Sequence, residues 1–363
     1  MGKEEVKVYL QYPCGFSDSP YYKYLIDYSP SGVEYQNGKA NGVITNKKNF
    51  LLSKFIKNNI RKVANTLRVS IPNVHLSPEG DYDLIHSAHC LSNNEENWVA
   101  DIEREWSLYI GNKNKRAVKK VREILNRNNC KKILSWTQAT ADELVKEYPE
   151  IKDKIEVVYP AVPIQEPKEH IGIYLLFVAR YFEAKGGRLA LDVMDKLTKK
   201  YGNVYATVVS DTPKEVIDHY SKNLKIRFLG LMKQEELFKT VYPYSDILIY
   251  PGYSDSFGFA YLEAMSFGIP IITVDGFARK EIIEEGKTGF VIDCIDVVWK
   301  RGRPRIRNEE TLSEEMVIKA SKLIEDKELR REMSMRCRTE IGIGKFSIWN
   351  RNNQLKRIYE EAI

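Results

Sequence analysis

Short apolar runs rich in β-branched residues alternate with amphipathic stretches along almost the whole chain. This alternation constrains the fold more than any other feature. The spacing predicts strands at Val6–Leu10, Asp83–Ser87, Lys132–Trp136, Ile155–Tyr159, Tyr174–Ala179, Tyr205–Val209, Lys225–Gly230, Ile247–Tyr250, Pro270–Val274 and Gly289–Ile292. Between them it predicts helices at Asn49–Leu67, Lys115–Asn126, Ala139–Glu147, Gly187–Lys199, Pro213–Tyr220, Gln234–Val241 and Gly258–Phe267. Strands separated by helices form parallel sheets covered on both faces, so the expected class is doubly wound α/β. After Asp293 the strand signal fades, and helices are expected at Glu314–Arg336 and Trp349–Ala362.

The segment "PAVPIQEPKEH" (Pro160–His170) interrupts the alternation with three prolines and several charges and reads as a linker. The expected division is 1–162, 163–345 and a closing helix at 346–363. The chain has 363 residues, of which 43% are hydrophobic, enough for a sizeable core in two domains. No run approaches the roughly 18 apolar residues of a membrane span. The opening Met1-Gly-Lys-Glu-Glu-Val lacks the apolar segment of a secretory signal, and Val6 stands where a myristoylation signal has Ser or Thr. Five scattered cysteines (Cys14, Cys90, Cys130, Cys294, Cys337) form no C-x-x-C pair. They read as small buried hydrophobes in a reducing, cytoplasmic setting. A net charge of +6 suits anionic small molecules or an anionic membrane surface.

Chemistry concentrates in the second half. "IYLLFVARYFEAKGG" places Arg180 and Lys185 in the loop after a buried strand, with Gly186 and Gly187 opening a helix. Fixed cations beside a helix N-terminus suit a diphosphate, although a charged loop is also compatible with simple solvation. In "DILIYPGYSDSFGFAYLEAMSFG" a strand ends at Tyr250, Pro251-Gly252 turns the chain, and a helix starts near Gly258. Asp255 stands in the loop, where it can accept from hydroxyls. Ser256, Phe257, Gly258 and Phe259 offer backbone N–H groups to an anion. Glu263, on the helix face expected to turn toward the ligand, suits the two hydroxyls of a ribose; alone it would read as an exposed helix residue.

Residues Gly172–Asp293, about a third of the chain, resemble the donor domain of retaining GT-B glycosyltransferases, in particular glycosyltransferase family 4. The resemblance is carried by A-R-Y-F-E-A-K-G-G, "RFLGLMKQEEL", "PGYSDSFGFAYLEAMSFGIPI" and "ARKEIIEEGKTGFVID". "WTQATADEL" with "IEVVYPAV", and "KFSIWNRNNQLKRIYEEA", resemble the end of the family's first domain and its closing helix, which crosses back to that domain. The resemblance implies a GT-B fold, two Rossmann-like doubly wound domains facing a central cleft, with an acceptor-binding first domain and a nucleotide-sugar-binding second. It implies a hexosyltransferase that takes its sugar from a nucleoside diphosphate with retention of configuration and without a metal or other cofactor. By the same resemblance Arg180 and Lys185 hold the diphosphate, Glu263 the ribose, and Phe257–Phe259 the phosphate or sugar. Asp255 takes the place of a family glutamate that touches the transferred sugar. Ala179 replaces a glycine, and "VVSDTPKE" replaces the family's glycine-rich turn.

In the first half, Gly15 of "YPCGFSDSPYYKYL" is the candidate for the family's phosphate-side glycines. "YDLIHSAH" resembles the family's strand-end D-x-x-H, so His86 or His89 is expected to face the cleft, His86 being the candidate catalytic residue. "NWVADIEREW" stands where many relatives carry a histidine at the sugar site. It offers Asp101 and Glu103, which alternate with Ile102 and so are expected to point the same way. A dehydrogenase is excluded because no G-x-G-x-x-G follows the first strand. Asp81-Tyr82-Asp83 precedes its strand and reads as a solvated turn. The basic stretches Asn112–Lys132 and Trp299–Arg307 read as solvated faces or as a peripheral contact with the cytoplasmic face of a membrane, with nucleic acid not expected. The acceptor is left open among glycan, lipid-linked and small-molecule classes. A nucleotide-sugar 2-epimerase and a non-catalytic sugar-nucleotide-binding protein stay open as alternatives.

Overall fold

A computed structural model of the chain describes residues 5–11, 20–38, 70–293, 297–300, 303–306 and 308–363, with backbone alone at 297–300 and 303–306. Gly15, the helix expected at Asn49–Leu67, Cys14 and Cys294 lie outside the described residues. The chain forms two compact units, Met1–Ala161 with Ile348–Ile363, and Val162–Ser347.

The first unit is built on strands β1 (Val6–Gln11), β2 (Val33–Tyr35), β3 (Leu84–Ala88), β4 (Trp98–Ile102), β5 (Cys130–Ser135) and β6 (Ile155–Val157). They form one sheet in the order β6-β5-β4-β3-β1-β2, parallel throughout. Val8 stands opposite Leu84, and Ala88 opposite Asp101. Helices α1 (Pro20–Asp27), α2 (Lys115–Leu125) and α3 (Gln138–Glu147) belong to this unit. Helix α2 shows why its sequence folds as it does. Asn114 caps it by accepting from the Ala117 amide at 2.9 Å, and Ala117, Val121, Ile124 and Leu125 make one buried stripe. The interior around β4, α2 and α3 is closed by Trp98, Leu108 and Tyr148.

The second unit contains β7 (Ile173–Val178), β8 (Val204–Val209), β9 (Ile226–Leu229), β10 (Ile247–Ile249), β11 (Ile271–Val274) and β12 (Gly289–Ile292). Their order is β9-β8-β7-β10-β11-β12, again all parallel. In this unit's own count that is 3-2-1-4-5-6, the Rossmann arrangement. The strand order reverses between β7 and β10, and ligands of such sheets bind outside the carboxyl ends of the strands at that reversal. Helices α4 (Gly187–Lys200), α5 (Lys214–Tyr220), α6 (Gln234–Thr240), α7 (Phe259–Ser266) and α8 (Arg279–Ile282) follow successive strands. Helices α9 (Glu309–Glu325) and α10 (Lys327–Gly342) complete the second unit, and α11 (Ile348–Ala362) belongs to the first.

Two expectations change. The helix read as Glu314–Arg336 is two helices, because Asp326 adopts an extended backbone and caps α10 by accepting from the Leu329 amide at 2.9 Å. The basic stretch at Trp299–Arg307 holds an antiparallel strand pair, Val297–Lys300 with Arg303–Ile306. Among the described residues, no helix is long and apolar enough to cross a membrane.

Candidate functional site

The loop after β7 and the loop after β10 meet at the reversal point of the second sheet. Their backbones are joined, the Gly252 amide donating to Lys185 O at 3.0 Å and the Ser254 amide to Ala184 O at 3.1 Å. Gly187 permits close approach, since a Cβ there would overlap the Phe182 ring. The Phe182 amide donates to Asp211 Oδ1 at 2.7 Å. Thus "VVSDTPKE", which lacks the glycine-rich turn of the resembling family, supplies a carboxylate that fastens the Arg180 loop.

Lys185 lies mostly covered, with Nζ 3.0 Å from Asp255 Oδ1 and 3.1 Å from the Ser254 carbonyl oxygen. An ammonium has three donors, so these contacts leave one to offer a ligand. Asp255 Oδ2 accepts from the Tyr250 hydroxyl at 2.6 Å, and burial pushes the Tyr250 phenol well above its ordinary range. Asp255 is therefore held on two sides, by an ammonium and by a phenol hydroxyl. Arg180 sits at the end of β7, half-buried, with its guanidinium 5.9 Å from the Tyr181 ring centroid.

Helix α7 begins after Gly258, whose φ of 87° is the left-handed conformation that favours glycine. A Cβ at Gly258 would also meet the Tyr261 ring. Phe257 is buried, Ser256 and Phe259 are half-buried, and the two phenyl rings lie 5.3 Å apart. Arg279, to which the sequence assigned no role, is buried beneath the loop and donates to the carbonyls of Gly252 and Asp275. Glu263 is not the exposed helix residue that it would be read as alone. It is 7% exposed; Oε1 accepts from Gln234 Nε2 at 2.6 Å and Oε2 from the Tyr242 hydroxyl at 2.8 Å.

The first unit brings together a second group of polar residues. His86 is wholly buried, with Nε2 3.1 Å from Asp101 Oδ2 and Nδ1 2.7 Å from the Tyr359 hydroxyl. Asp101 is also wholly buried; its Oδ1 accepts from the Tyr22 hydroxyl at 2.6 Å and lies 3.4 Å from His89 Nδ1. Burial alone would raise the Asp101 carboxyl, but His89, His86 and Tyr22 outweigh it and hold the group below its ordinary range.

The structure places His86 and Asp101 within the covered sheet of the first unit, not at an open surface. All five residues of β4 are buried, because it is an inner strand of a parallel sheet covered on both faces. Alternation along such a strand does not separate inside from outside. Glu103, just beyond β4, is half-buried, and its carbonyl accepts from Thr140 Oγ1 at 2.7 Å. His89 reaches the surface instead, its side chain 24% exposed. Its φ of 52° is the left-handed conformation, uncommon outside glycine. Asn73 Nδ2 holds its carbonyl at 2.9 Å, and Trp136 packs edge-on at 4.6 Å. Among the described residues, no group of three or more His, Cys, Asp or Glu has the arrangement of a metal site.

Residues 162–298 match the family Glycosyl transferases group 1. The matched residues include Arg180, Lys185, Asp255 and Glu263. A curated relative, D-inositol 3-phosphate glycosyltransferase of Corynebacterium efficiens, is 24% identical over 244 residues, covering 60% of this chain and 55% of its own. The chain spans about half the length of the curated relatives that it matches. A glycosyltransferase of Rickettsia africae is similar in structure with a TM-score of 0.66 at 16% identity, over 99% of both chains. Anabaena HepE, crystallised with UDP and glucose, has a TM-score of 0.61 at 14% identity, over 98% of this chain and 99% of its own. The fold is GT-B, with two Rossmann-like units.

Proposed function

We propose that this protein is a metal-independent, retaining glycosyltransferase of family 4 that takes its sugar from a nucleoside diphosphate. The observation that carries the reading is the join of the two loops at the β7/β10 reversal. It fixes Lys185 against Asp255 with one ammonium donor to offer, inside a group 1 domain. The UDP bound by the Anabaena neighbour makes a UDP-linked sugar the first donor to test. Retention and the family 4 placement follow the motif resemblance at Arg180, Lys185, Asp255 and Glu263.

In the proposed reaction, the bond between the sugar's anomeric carbon and the β-phosphate oxygen breaks, and its electron pair passes to the diphosphate. Arg180, Lys185 and the amides at the start of α7 stabilise that charge, the office a divalent ion fills in other enzymes. The acceptor hydroxyl oxygen bonds to the anomeric carbon on the face the diphosphate leaves, and its proton passes to the departing phosphate oxygen. Asp255, held by Lys185 and Tyr250, accepts from a hydroxyl of the sugar. The exposed cations of α2, among them Lys119 and Lys120, support a peripheral contact with an anionic, cytoplasmic membrane face.

The test is incubation with radiolabelled UDP-sugars in the presence of EDTA, with the anomeric configuration of the product read by NMR. Arg180→Ala and Lys185→Ala are each expected to lower turnover by roughly two orders of magnitude, the scale of one lost transition-state donor. Undiminished turnover in both variants removes the diphosphate assignment. Complete and reversible loss with EDTA removes metal independence, and epimerisation of the nucleotide sugar or binding without turnover replaces the reading altogether.

A further inference from the structure

We infer that Gln234 and Tyr242 are positioning residues that aim the Glu263 carboxylate at the ribose, and so set the preference for ribonucleotide over deoxyribonucleotide donors. This rests on the nucleotide-sugar reading of the group 1 domain. Glu263 lies in α7, directly after the loop that carries Asp255, yet it is buried among side chains from other elements. Gln234 is the first residue of α6, and Tyr242 lies in the short turn following that helix. Each supplies one donor to a different carboxylate oxygen, at 2.6 Å and 2.8 Å. Both donors are uncharged, so they fix the carboxylate without neutralising it.

The Tyr242 ring is held in its turn. It is wholly buried, stacked on Phe267 at 5.5 Å with an interplanar angle of 6°, and edge-on to Phe238 at 5.5 Å. Phe238 and Phe267 also meet each other at 5.3 Å. The Ser266 hydroxyl donates to the Glu263 carbonyl oxygen at 2.6 Å, tightening the last turn of α7. The carboxylate thus has little rotational freedom before any ligand arrives. Burial of a charged group is costly, and here the cost yields an acceptor already aimed at two vicinal hydroxyls.

The experiment compares UDP with 2′,3′-dideoxy-UDP by calorimetry on the full chain, with melting temperature recorded for every variant. Wild type is expected to prefer UDP, and Glu263→Gln to lose most of that preference. Tyr242→Phe keeps the ring and its packing but removes the hydroxyl. Gln234→Met keeps the length but removes the amide. Each is expected to narrow the UDP preference by roughly tenfold, the order of one hydrogen bond to a charged group. Phe238→Leu disturbs the packing while both donors stay, and is expected to keep the preference. If wild type discriminates but Tyr242→Phe and Gln234→Met weaken both nucleotides equally, or change neither, the positioning role is overturned and the two residues are structural. If wild type itself does not discriminate, the ribose reading of Glu263 fails before any variant is made, and this inference falls with it.

Discussion

Asp255 is one methylene shorter than the glutamate that the resemblance places there, and the structure gives that shortness a setting. Its two oxygens are spanned by Lys185 and Tyr250 at 3.0 Å and 2.6 Å, so the carboxylate sits back against the loop junction. Glu263, eight positions later, is fastened to a different set of partners. The two carboxylates are therefore expected to fail differently. Glu263→Gln is expected to weaken UDP and UDP-sugar alike, by about 1.5–3 kcal/mol for a charge-assisted bond. Asp255→Asn is expected to leave UDP affinity nearly unchanged while impairing transfer, and Asp255→Glu to alter sugar preference more than nucleotide affinity. Calorimetry with UDP and with its sugar conjugate decides this; an equal loss of bare UDP binding in Asp255→Asn and Glu263→Gln would end the division of labour. The loops that carry Lys185 and Asp255 were legible in the sequence because glycines and a turn punctuate them. The contacts of Gln234, Tyr242, Tyr250 and Arg279 were not, since no spacing along the chain shows that Gln234 and Tyr242 fold onto Glu263, that Tyr250 turns to Asp255, or that Arg279 lies beneath the loop. The choice between His86 and His89 was equally closed: His86 lies in the middle of β3 and His89 just past its end, and only the neighbouring elements show that His86 is enclosed.

Helices and strands were readable where a period runs between clear stops, as in α4, read as Gly187–Lys199 and observed as Gly187–Lys200. They were misread where the stop is a side chain acting as a cap. The period of α9 continues across Asp326 into α10, and the break depends on one carboxylate accepting from the Leu329 amide. Strand β4 was missing from the strands read, and its acids were read as pointing into the cleft from a strand end, because an inner parallel strand carrying an aspartate looks half-exposed in sequence. Helix α1 was passed over because "SPYYKYL" reads as part of a loop, although Tyr21, Tyr22 and Leu25 are buried. The basic stretch Asn112–Lys132 resolves into α2, which turns an apolar stripe inward and leaves Lys115, Arg116, Lys119 and Lys120 exposed. Two cations at opposite ends of it are occupied at the surface, Lys113 before its cap with Glu147 at 2.7 Å and Arg122 in its last turn with Glu150 at 2.6 Å. If α2 meets a membrane, the paired substitution Lys119→Glu with Lys120→Glu abolishes co-sedimentation with phosphatidylserine vesicles at low salt, at about 1 kcal/mol per charge removed. Failure of the wild-type protein to sediment with those vesicles would leave α2 a solvated face.

At the scale of the molecule, the sequence shows two stretches of strand–helix alternation, and the physics of parallel sheets turns each into a doubly wound unit. The proline-rich segment between them is less of a free tether than its composition suggests. The Gln165 amide donates to Ser266 O at 3.0 Å and the Lys168 amide to Pro243 O at 2.8 Å, which fastens it to the second unit. What pattern alone did not reveal is how α11 contributes to the first unit. Arg351 is buried, and burial pulls its guanidinium below its ordinary range. Its Nη2 donates to Tyr28 O at 2.6 Å and Tyr24 O at 3.3 Å, and Asn352 Nδ2 donates to Tyr28 O at 3.0 Å. These carbonyls end α1, where a cation and extra donors complement the helix dipole. Tyr359, two turns further along, reaches the His86 imidazole and lies 3.1 Å from the Tyr35 hydroxyl. The last helix thus caps an early helix and closes the buried network of the first unit. Arg351→Leu is expected to lower stability by about 2 kcal/mol, the loss of hydrogen bonds to a charged donor at a helix end. UDP affinity should stay within about twofold, because the second unit keeps its own core and its own loops. Scanning calorimetry with and without UDP checks both parts. An unshifted melting profile would mean that Arg351 does not secure α1, and a collapse of UDP affinity without loss of stability would assign it a role outside the first unit.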